Sequence, residues 1–337
     1  MGNNSKKILI LLGSSRYGGG EKHALDLVRH SQNEFDVTLG IPNDSVMIPE
    51  LKQAKIPYII INYPKYPWEL FSFAQALKPY SLIHAHLNLA CRSLTFLGPL
   101  AKPWLATIHG FSSVLPYLVA QKVICVSQAL QSSLPIFLKR KSRLIYNGIT
   151  DPGIVPSPQN KIKQAFVFAT IHPNKGQELV VKSLPLWEKK LPELQITFVG
   201  TGSIKHENSL SARLPPHSQL QWIKKNQNLD LFWAQADFIL IPSFYESLSY
   251  VALEAQARGI PIISSKTGGL LESTMEWGGI FFEPGNPNSL AEALVQMVDE
   301  NEKLRTQLGQ KPLLLTQPHF SLKRMLGSIH EEWSQML

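Results

Sequence analysis

Asp237-Phe-Ile-Leu-Ile-Pro-Ser-Phe-Tyr-Glu246-Ser-Leu-Ser-Tyr-Val-Ala-Leu-Glu254-Ala255 is the stretch on which the fold reading turns. Its opening run, 237–242, has the short apolar character of a buried strand. A polar loop follows, and then apolar residues at Val251, Leu253, Ala255 and Ala257 predict a helix over Leu248–Arg258. The unit is strand, loop and helix, with Glu246 at the helix mouth and Glu254 eight residues on. At the helical rise, eight residues span about 12 Å. Two glutamates also suggest glycoside hydrolysis, but hydrolase carboxylates stand at most roughly 9.5 Å apart across one sugar. Between these two lie backbone N–H groups without an intrahelical acceptor, a natural seat for phosphate. The spacing suits a nucleotide diphosphate held by its phosphates and its ribose.

Working outward, apolar runs alternate with helical patterns along the whole chain. Strands are predicted at Ile8–Leu12, Val37–Ile41, Tyr58–Ile61, Leu82–Ala85, Trp104–Ile108, Val123–Val126 and Arg143–Tyr146. Helices such as Glu21–His30, Ile48–Ala54 and Trp68–Leu77 fall between them. This rhythm implies a parallel sheet covered on both faces. Turn residues crowd Asn147–Gly153 and Pro156–Pro158, which read as a linker. The rhythm then restarts at Ala165–Ala169, Leu194–Val199, Leu220–Ile223, Phe238–Ile241, Pro261–Ser264 and Gly279–Phe282. Helices are predicted at Gly176–Lys189, Leu229–Ala236, Leu290–Gly309 and Leu322–Met336. The expected architecture is α/β: two Rossmann-like doubly wound domains, 1–150 and 151–319, facing across a cleft. Ligands of such sheets bind at the carboxyl ends of the strands.

The 337 residues are 44% apolar and 17% charged, a soluble globular composition. Cys91 and Cys125 offer neither a disulfide framework nor zinc spacing, and read as buried thiols of a reducing cytosol. The run Ile8–Leu12 is too short for a signal-peptide core, and Pro103–Gln121 is too broken for a membrane span. The net charge of +8 is unevenly placed. Residues 1–150 hold 16 Lys/Arg against 7 Asp/Glu, a net +9, while 151–337 hold 17 against 18, a net −1. A solvated basic face and a surface for anionic lipid both fit. Nucleic acid does not, because the basic residues are dispersed and no binding motif accompanies them.

Three further constellations precede the glutamates. Gly18-Gly19-Gly20-Glu21 lies between the first strand and the first helix, where glycines admit a ligand close to the backbone. It is neither a Walker loop nor G-x-G-x-x-G, and alone it also fits a plain tight turn. His109-Gly110 leaves a strand end, placed equally well for a polar substrate or for a satisfied loop histidine. Lys175-Gly176 opens a helix after the first strand of the second half, where a lysine meets phosphate as a point charge.

Taken in order and by element, these motifs resemble the retaining GT-B glycosyltransferases of family 4 over nearly the whole chain. The resemblance rests on Gly18, Gly19 and Glu21; His109-Gly110; Asn147-Gly148-Ile149; Lys175-Gly176; and Glu246 with Glu254. Gly259 and Pro261, Gly268-Gly269 with Glu272, and Pro284-Gly285-Asn286 complete it. It implies a UDP- or GDP-linked sugar donor on the second domain and a saccharide or lipid-linked acceptor on the first. Glu254 would take the ribose hydroxyls, Lys175 the diphosphate, and the amides around Ser247, Leu248 and Ser249 the β-phosphate. Glu246 and His109 would contact the transferred sugar, and Gly18 and Gly19 would approach the diphosphate. The base would lie near Trp222–Lys225. The family implies no metal and no cofactor, and a closing helix, about 320–337, packed back on the first domain with Trp333 as anchor or core.

The chain departs from the family twice. Thr170 lies in the run Ala169-Thr170-Ile171, where family members carry an Arg five residues before the Lys. The loss of one charged contact costs about 1.5–3 kcal/mol, and Arg16 is the candidate replacement. Ser247-Leu248-Ser249 stands where Gly-Phe-Gly is usual. The resulting expectation is a cytoplasmic hexosyltransferase of envelope polysaccharide or lipopolysaccharide assembly, peripheral on the inner membrane. A GT-B nucleotide-sugar epimerase and a non-catalytic GT-B binding protein are the alternatives.

Overall fold

A computed structural model describes residues 6–110, 113–153, 162–216, 218–224, 229–275, 278–311 and 313–337. The chain divides into two compact units, Met1–Gly148 with Leu322–Leu337, and Ile149–Ser321. The expected linker around Pro156–Pro158 lies outside the described residues.

The first unit is built on seven strands: β1 (Lys7–Leu12), β2 (Asp36–Ile41), β3 (Tyr58–Ile60), β4 (Leu82–His86), β5 (Trp104–Ile108), β6 (Lys122–Cys125) and β7 (Ser142–Leu144). All pair in parallel, in the order β3-β2-β1-β4-β5-β6-β7. Helices cover such a sheet on both faces, so its central strands are buried: Ile8–Leu12 is an unbroken apolar run at 0% exposure, and the buried β4 carries two histidines, His84 and His86. The strand order reverses between β1 and β4. The connections leaving those two strands therefore diverge and open a crevice at their carboxyl ends. His86 is the last residue of β4, and His109 follows β5.

Helix Leu322–Met336 belongs to this unit. Its apolar stripe buries Leu322, Met325, Ile329 and Trp333 in the core of the first sheet. Trp333 is both core and anchor: it is fully buried, and its indole N–H donates to His84 Nδ1 at 3.1 Å. Glu332 adds ion pairs of 2.6 Å to Lys122 and to Arg143.

The second unit repeats the scheme with β8 (Gln164–Phe168), β9 (Gln195–Val199), β10 (Leu220–Ile223), β11 (Phe238–Ile241), β12 (Ile262–Ser265) and β13 (Gly279–Phe282). Their order is β10-β9-β8-β11-β12-β13, again all parallel. Here the order reverses between β8 and β11. Lys175 follows β8 and Glu246 follows β11, so both stand at the switch point.

One boundary differs in a way that matters. The helix expected to begin at Leu248 begins at Tyr250 and runs to Ala257. Ser249 is its N-cap, extended at φ −88° and ψ 113°, and its hydroxyl accepts from Ala252 N at 3.2 Å. Serine competes for backbone donors in this way and is favoured at caps rather than inside helices. Glu246 is thus in the loop, and the two-turn helical spacing of Glu246 from Glu254 does not hold.

Candidate active site

Three loops of the second unit meet around Glu246. The loop after β8 ends in the 3-10 turn Pro173–Lys175, capped by His172 Nδ1, which accepts from Asn174 N at 3.1 Å. It is tied to the loop after β11 by Phe244 N donating to Asn174 O at 2.9 Å and Asn174 Nδ2 to Tyr245 O at 3.2 Å. Gly176 sits at φ +73°, and a Cβ there would stand 1.9 Å from Pro242 O. No other residue type meets both demands. The loop after β12 closes from the other side. Gly269 N donates to Glu246 O at 2.9 Å, and a Cβ on Gly269 would fall 1.6 Å from Ser247 O. The Glu246–Ser247 peptide is therefore clamped from both sides.

Within this frame Lys175 Nζ and Glu246 Oε2 are 2.6 Å apart, with side-chain exposures of 28% and 17%. An ammonium has three donors. One is spent on Glu246 and two remain for other oxygens, while the second carboxylate oxygen of Glu246 stays an acceptor. Ser247 is buried, and its hydroxyl is 3.5 Å from the Tyr245 hydroxyl. Leu248 and Ser249 are buried as well. Ser249 Oγ is engaged as the cap acceptor, and its proton is left to donate. Glu254, half-buried, lies in the second turn of the short helix. One turn further, the Arg258 guanidinium donates to Glu254 O at 3.0 Å and lies 4.6 Å from the Trp233 ring centre. Thr170 is exposed, and its carbonyl accepts from Gln177 Nε2 at 3.0 Å. Of the segment expected near the base, Trp222 donates from Nε1 to Gly200 O at 3.0 Å, and Lys225 lies outside the described residues.

The first unit holds a second cluster. Gly18 caps helix Gly19–Ser31, and Arg16 is exposed in the loop before it. The glycine in closest contact is Gly20. A Cβ there would meet Leu87 Cδ2 at 2.9 Å and His109 Cδ2 at 3.2 Å. His109 Nε2 is 3.0 Å from His86 Nδ1, and the His84 and His86 ring centres are 4.4 Å apart. His23 adds an edge contact to His109, with ring centres 4.9 Å apart, and pairs with Asn147 Oδ1 at 3.0 Å. Burial, foremost, pushes the His23 pKa down to about 4 against the pull of the Asn147 hydrogen bond. Burial and then the neighbouring imidazoles hold His84, His86 and His109 well below the usual range. All four rings are neutral at neutral pH. His23, His84 and His86 escaped sequence reasoning, yet Ile83-His84-Ala85-His86 carried a signal. Period-two alternation sets His84 and His86 on one face of β4, and the register pairs His86 with Thr107, two residues before His109.

Two family profiles cover most of the chain in sequence: Glycosyltransferase Family 4 over residues 17–151, and Glycosyl transferases group 1 over residues 155–312. The chain belongs to the GT-B glycosyltransferases of family 4 type. An uncharacterised glycosyltransferase of Methanocaldococcus jannaschii is 26% identical over 308 residues, 86% of this chain and 83% of its own. An O-antigen biosynthesis glycosyltransferase of Escherichia coli, WclY, is 24% identical over 62% of this chain and 60% of its own. Among solved structures, HepE of Anabaena in complex with UDP and glucose superposes with a TM-score of 0.85 at 20% identity, covering 98% of this chain and 99% of that one. Sucrose-phosphate synthase of Thermosynechococcus elongatus gives 0.77 at 19% identity, covering 98% and 99%. These likenesses establish the GT-B fold. Among the described residues no helix is long and apolar enough to cross a membrane, and no cluster of His, Cys, Asp and Glu suits a metal ion.

Proposed function

We propose that this GT-B glycosyltransferase moves a hexosyl group from a nucleotide-diphosphate sugar to a glycan or lipid-linked acceptor, retaining the anomeric configuration. The carrying observation is the Lys175–Glu246 pair, clamped at the switch point of the second sheet. The two remaining Lys175 donors suit the diphosphate. The amides ahead of Ala252, with the Ser249 hydroxyl, suit the β-phosphate, and the helix end adds up to ~2 kcal/mol. Glu254 takes the ribose hydroxyls, Glu246 a sugar hydroxyl, and His109 supports the transferred sugar. In this scheme fixed donors, rather than a metal, stabilise the leaving diphosphate. No carboxylate is assigned as a nucleophile; the leaving phosphate takes the acceptor proton as the acceptor attacks the same face. Arg16 supplies the charge that Thr170 lacks. UDP is the first donor nucleotide to try, because UDP is in the HepE complexes. A role in envelope polysaccharide synthesis draws support from the O-antigen relative. The test is a thermal-shift panel of UDP-, GDP- and ADP-sugars, followed by assay of released nucleotide diphosphate. Stabilisation without release under any acceptor, or an isomerised sugar nucleotide, overturns transfer.

The reading includes peripheral contact with an anionic membrane. Between Glu69 and Asp151 the chain has no carboxylate side chain and eight Lys/Arg. Helix Leu87–Leu97 packs on the turn Leu115–Tyr117, where Thr95 Oγ1 donates to Pro116 O at 2.8 Å. Around this seam Phe96, Leu100, Leu118 and Val119 are exposed, Leu100 by 77%. Lys141 Nζ donates to Ala120 O at 2.6 Å and draws in the helix Ile136–Lys139, which exposes Ile136 and Phe137 beside Lys139 and Arg140. Lys122 and Arg143 of this stretch are paired with Glu332 of the closing helix, whereas exposed apolar side chains beside Lys139 and Arg140 suit an anionic bilayer surface. The protein should co-sediment with phosphatidylglycerol vesicles and weaken in high salt; indifference to lipid charge rejects this contact.

A further inference from the structure

We propose that His86 is a positioning residue that donates from Nδ1 to Nε2 of His109. It thereby holds His109 as the neutral tautomer protonated on Nδ1, the form that offers an N–H to substrate. The inference rests on the reading of His109 as a contact of the transferred sugar.

The two nitrogens are 3.0 Å apart, and only one of them carries the shared proton. The surroundings decide which. His86 Nε2 is buried and lacks a hydrogen-bond partner. If His86 accepted at Nδ1, its own proton would sit on Nε2 as a buried N–H with no acceptor. Such orphaned donors are rarer in folded proteins than under-used acceptors. With the proton on Nδ1, Nε2 keeps only an unused lone pair. Protonating both nitrogens would place a charge among neutral imidazoles in a buried site.

His84, tilted against His86 at 37° between ring planes, has its tautomer fixed by its partners. The Trp333 indole can only donate, so His84 Nδ1 accepts at 3.1 Å, and its proton is on Nε2, 2.7 Å from Thr107 Oγ1. The tautomer of His84 is thus set by partners outside the row, that of His86 by the lack of an acceptor at Nε2, and that of His109 by His86. His109 is the open end: it is only partly buried, and its Nδ1 has no hydrogen-bond partner among the described residues. The backbone at His86 is unusual too. Leu87, the next residue, sits at φ +68°, where a branched side chain is strained. The strain ends β4 and starts helix Leu87–Leu97 with no intervening loop, which fixes His86 at the strand tip. Strain of this kind persists where the surroundings over-determine it.

The experiment is the tautomer of His109, read from long-range 1H–15N correlations in histidine-labelled full-length protein at neutral pH. The His109 signals are identified by their absence in His109→Gln. In the wild type and in His86→Asn, whose amide can still donate, His109 is expected on Nδ1–H. In His86→Leu it should shift to Nε2–H or to a mixture. The kinetic counterpart is a kcat lowered roughly tenfold or more in His86→Leu, the worth of one hydrogen bond at the strong end. The donor KM should hold, with recovery in His86→Asn. An Nε2–H tautomer in the wild type, or an unchanged tautomer in His86→Leu, overturns the proposal. If no donor is ever turned over, the transfer reading fails while the spectra still decide the role of His86. If His86→Leu does not fold, the wild-type and His86→Asn spectra decide it.

Discussion

Replacing Lys175 with Met separates a lysine that binds phosphate from one that only neutralises Glu246. Lys175 Nζ lies 2.6 Å from Glu246 Oε2, and both side chains keep some exposure, 28% and 17%. A part-solvated pair contributes about 1 kcal/mol or less to stability, so the variant should fold with a slightly lower midpoint. Its binding effect should be larger, because a charge-assisted hydrogen bond to the diphosphate is worth about 1.5–3 kcal/mol. That corresponds to roughly ten- to a hundred-fold weaker UDP binding. Titration calorimetry with UDP and with uridine is the assay, since uridine lacks the phosphates and should lose nothing. Glu246→Gln should act in the opposite sense. It removes a negative charge beside the phosphates and frees a lysine donor, so UDP binding should hold or tighten while transfer is lost. A folded Lys175→Met protein that binds UDP within about twofold of wild type would refute the phosphate role, since a charged contact is worth more than that.

The clamp on Glu246 and the histidine row give two more tests. Gly269→Ala forces a Cβ to 1.6 Å from Ser247 O, so it should cost about 2–3 kcal/mol in urea unfolding and abolish UDP binding. Gly309→Ala, with no atom within 4 Å and in a helix, should be neutral or stabilising by up to ~1 kcal/mol; equal effects at the two positions would contradict the clamp. Unfolded histidines take up protons near 6.5, while folded His23 refuses them until about 4. The unfolded state therefore binds more protons between those values, and stability, complete above 6.5, should fall as pH drops through that window. The loss from His23 alone is about 2 kcal/mol by pH 5 and approaches ~3 kcal/mol below pH 4, and denaturation at pH 7.5 and 5 should show it shrink in His23→Asn.

Much of this was legible in the sequence because parallel sheets write themselves as apolar runs. Leu82–His86 and Phe238–Ile241 are buried on both faces, and their spacing reveals the two doubly wound sheets. Lys175 and Glu246 could be named because each stands in a loop between a predicted strand and a predicted helix and matches a family motif; that both strands flank a reversal of strand order came from the structure. Their direct contact could not be named, since it depends on the Gly269 and Asn174 hydrogen bonds that fold two loops together. The helix start was misplaced by two residues because Ser249 can be read as a first-turn residue or as a cap, and only its bond to Ala252 decides. His23, His84 and His86 were hidden for another reason. The β4–β5 register and the approach of Trp333 bring His84, His86 and His109 into one row, and His23 joins it from helix Gly19–Ser31, held by Asn147.

Transfer with retention, from a donor held at Lys175, Glu246 and Glu254, leaves a mark on the product. It is tested most directly by the anomeric configuration of the product, read by proton NMR after incubation with the α-linked nucleotide sugar that the panel selects. Free nucleotide diphosphate and a new α-linkage should appear in equal amounts, both lost in Glu246→Gln. A β-linked product, or an isomerised sugar nucleotide without a new linkage, would contradict retaining transfer.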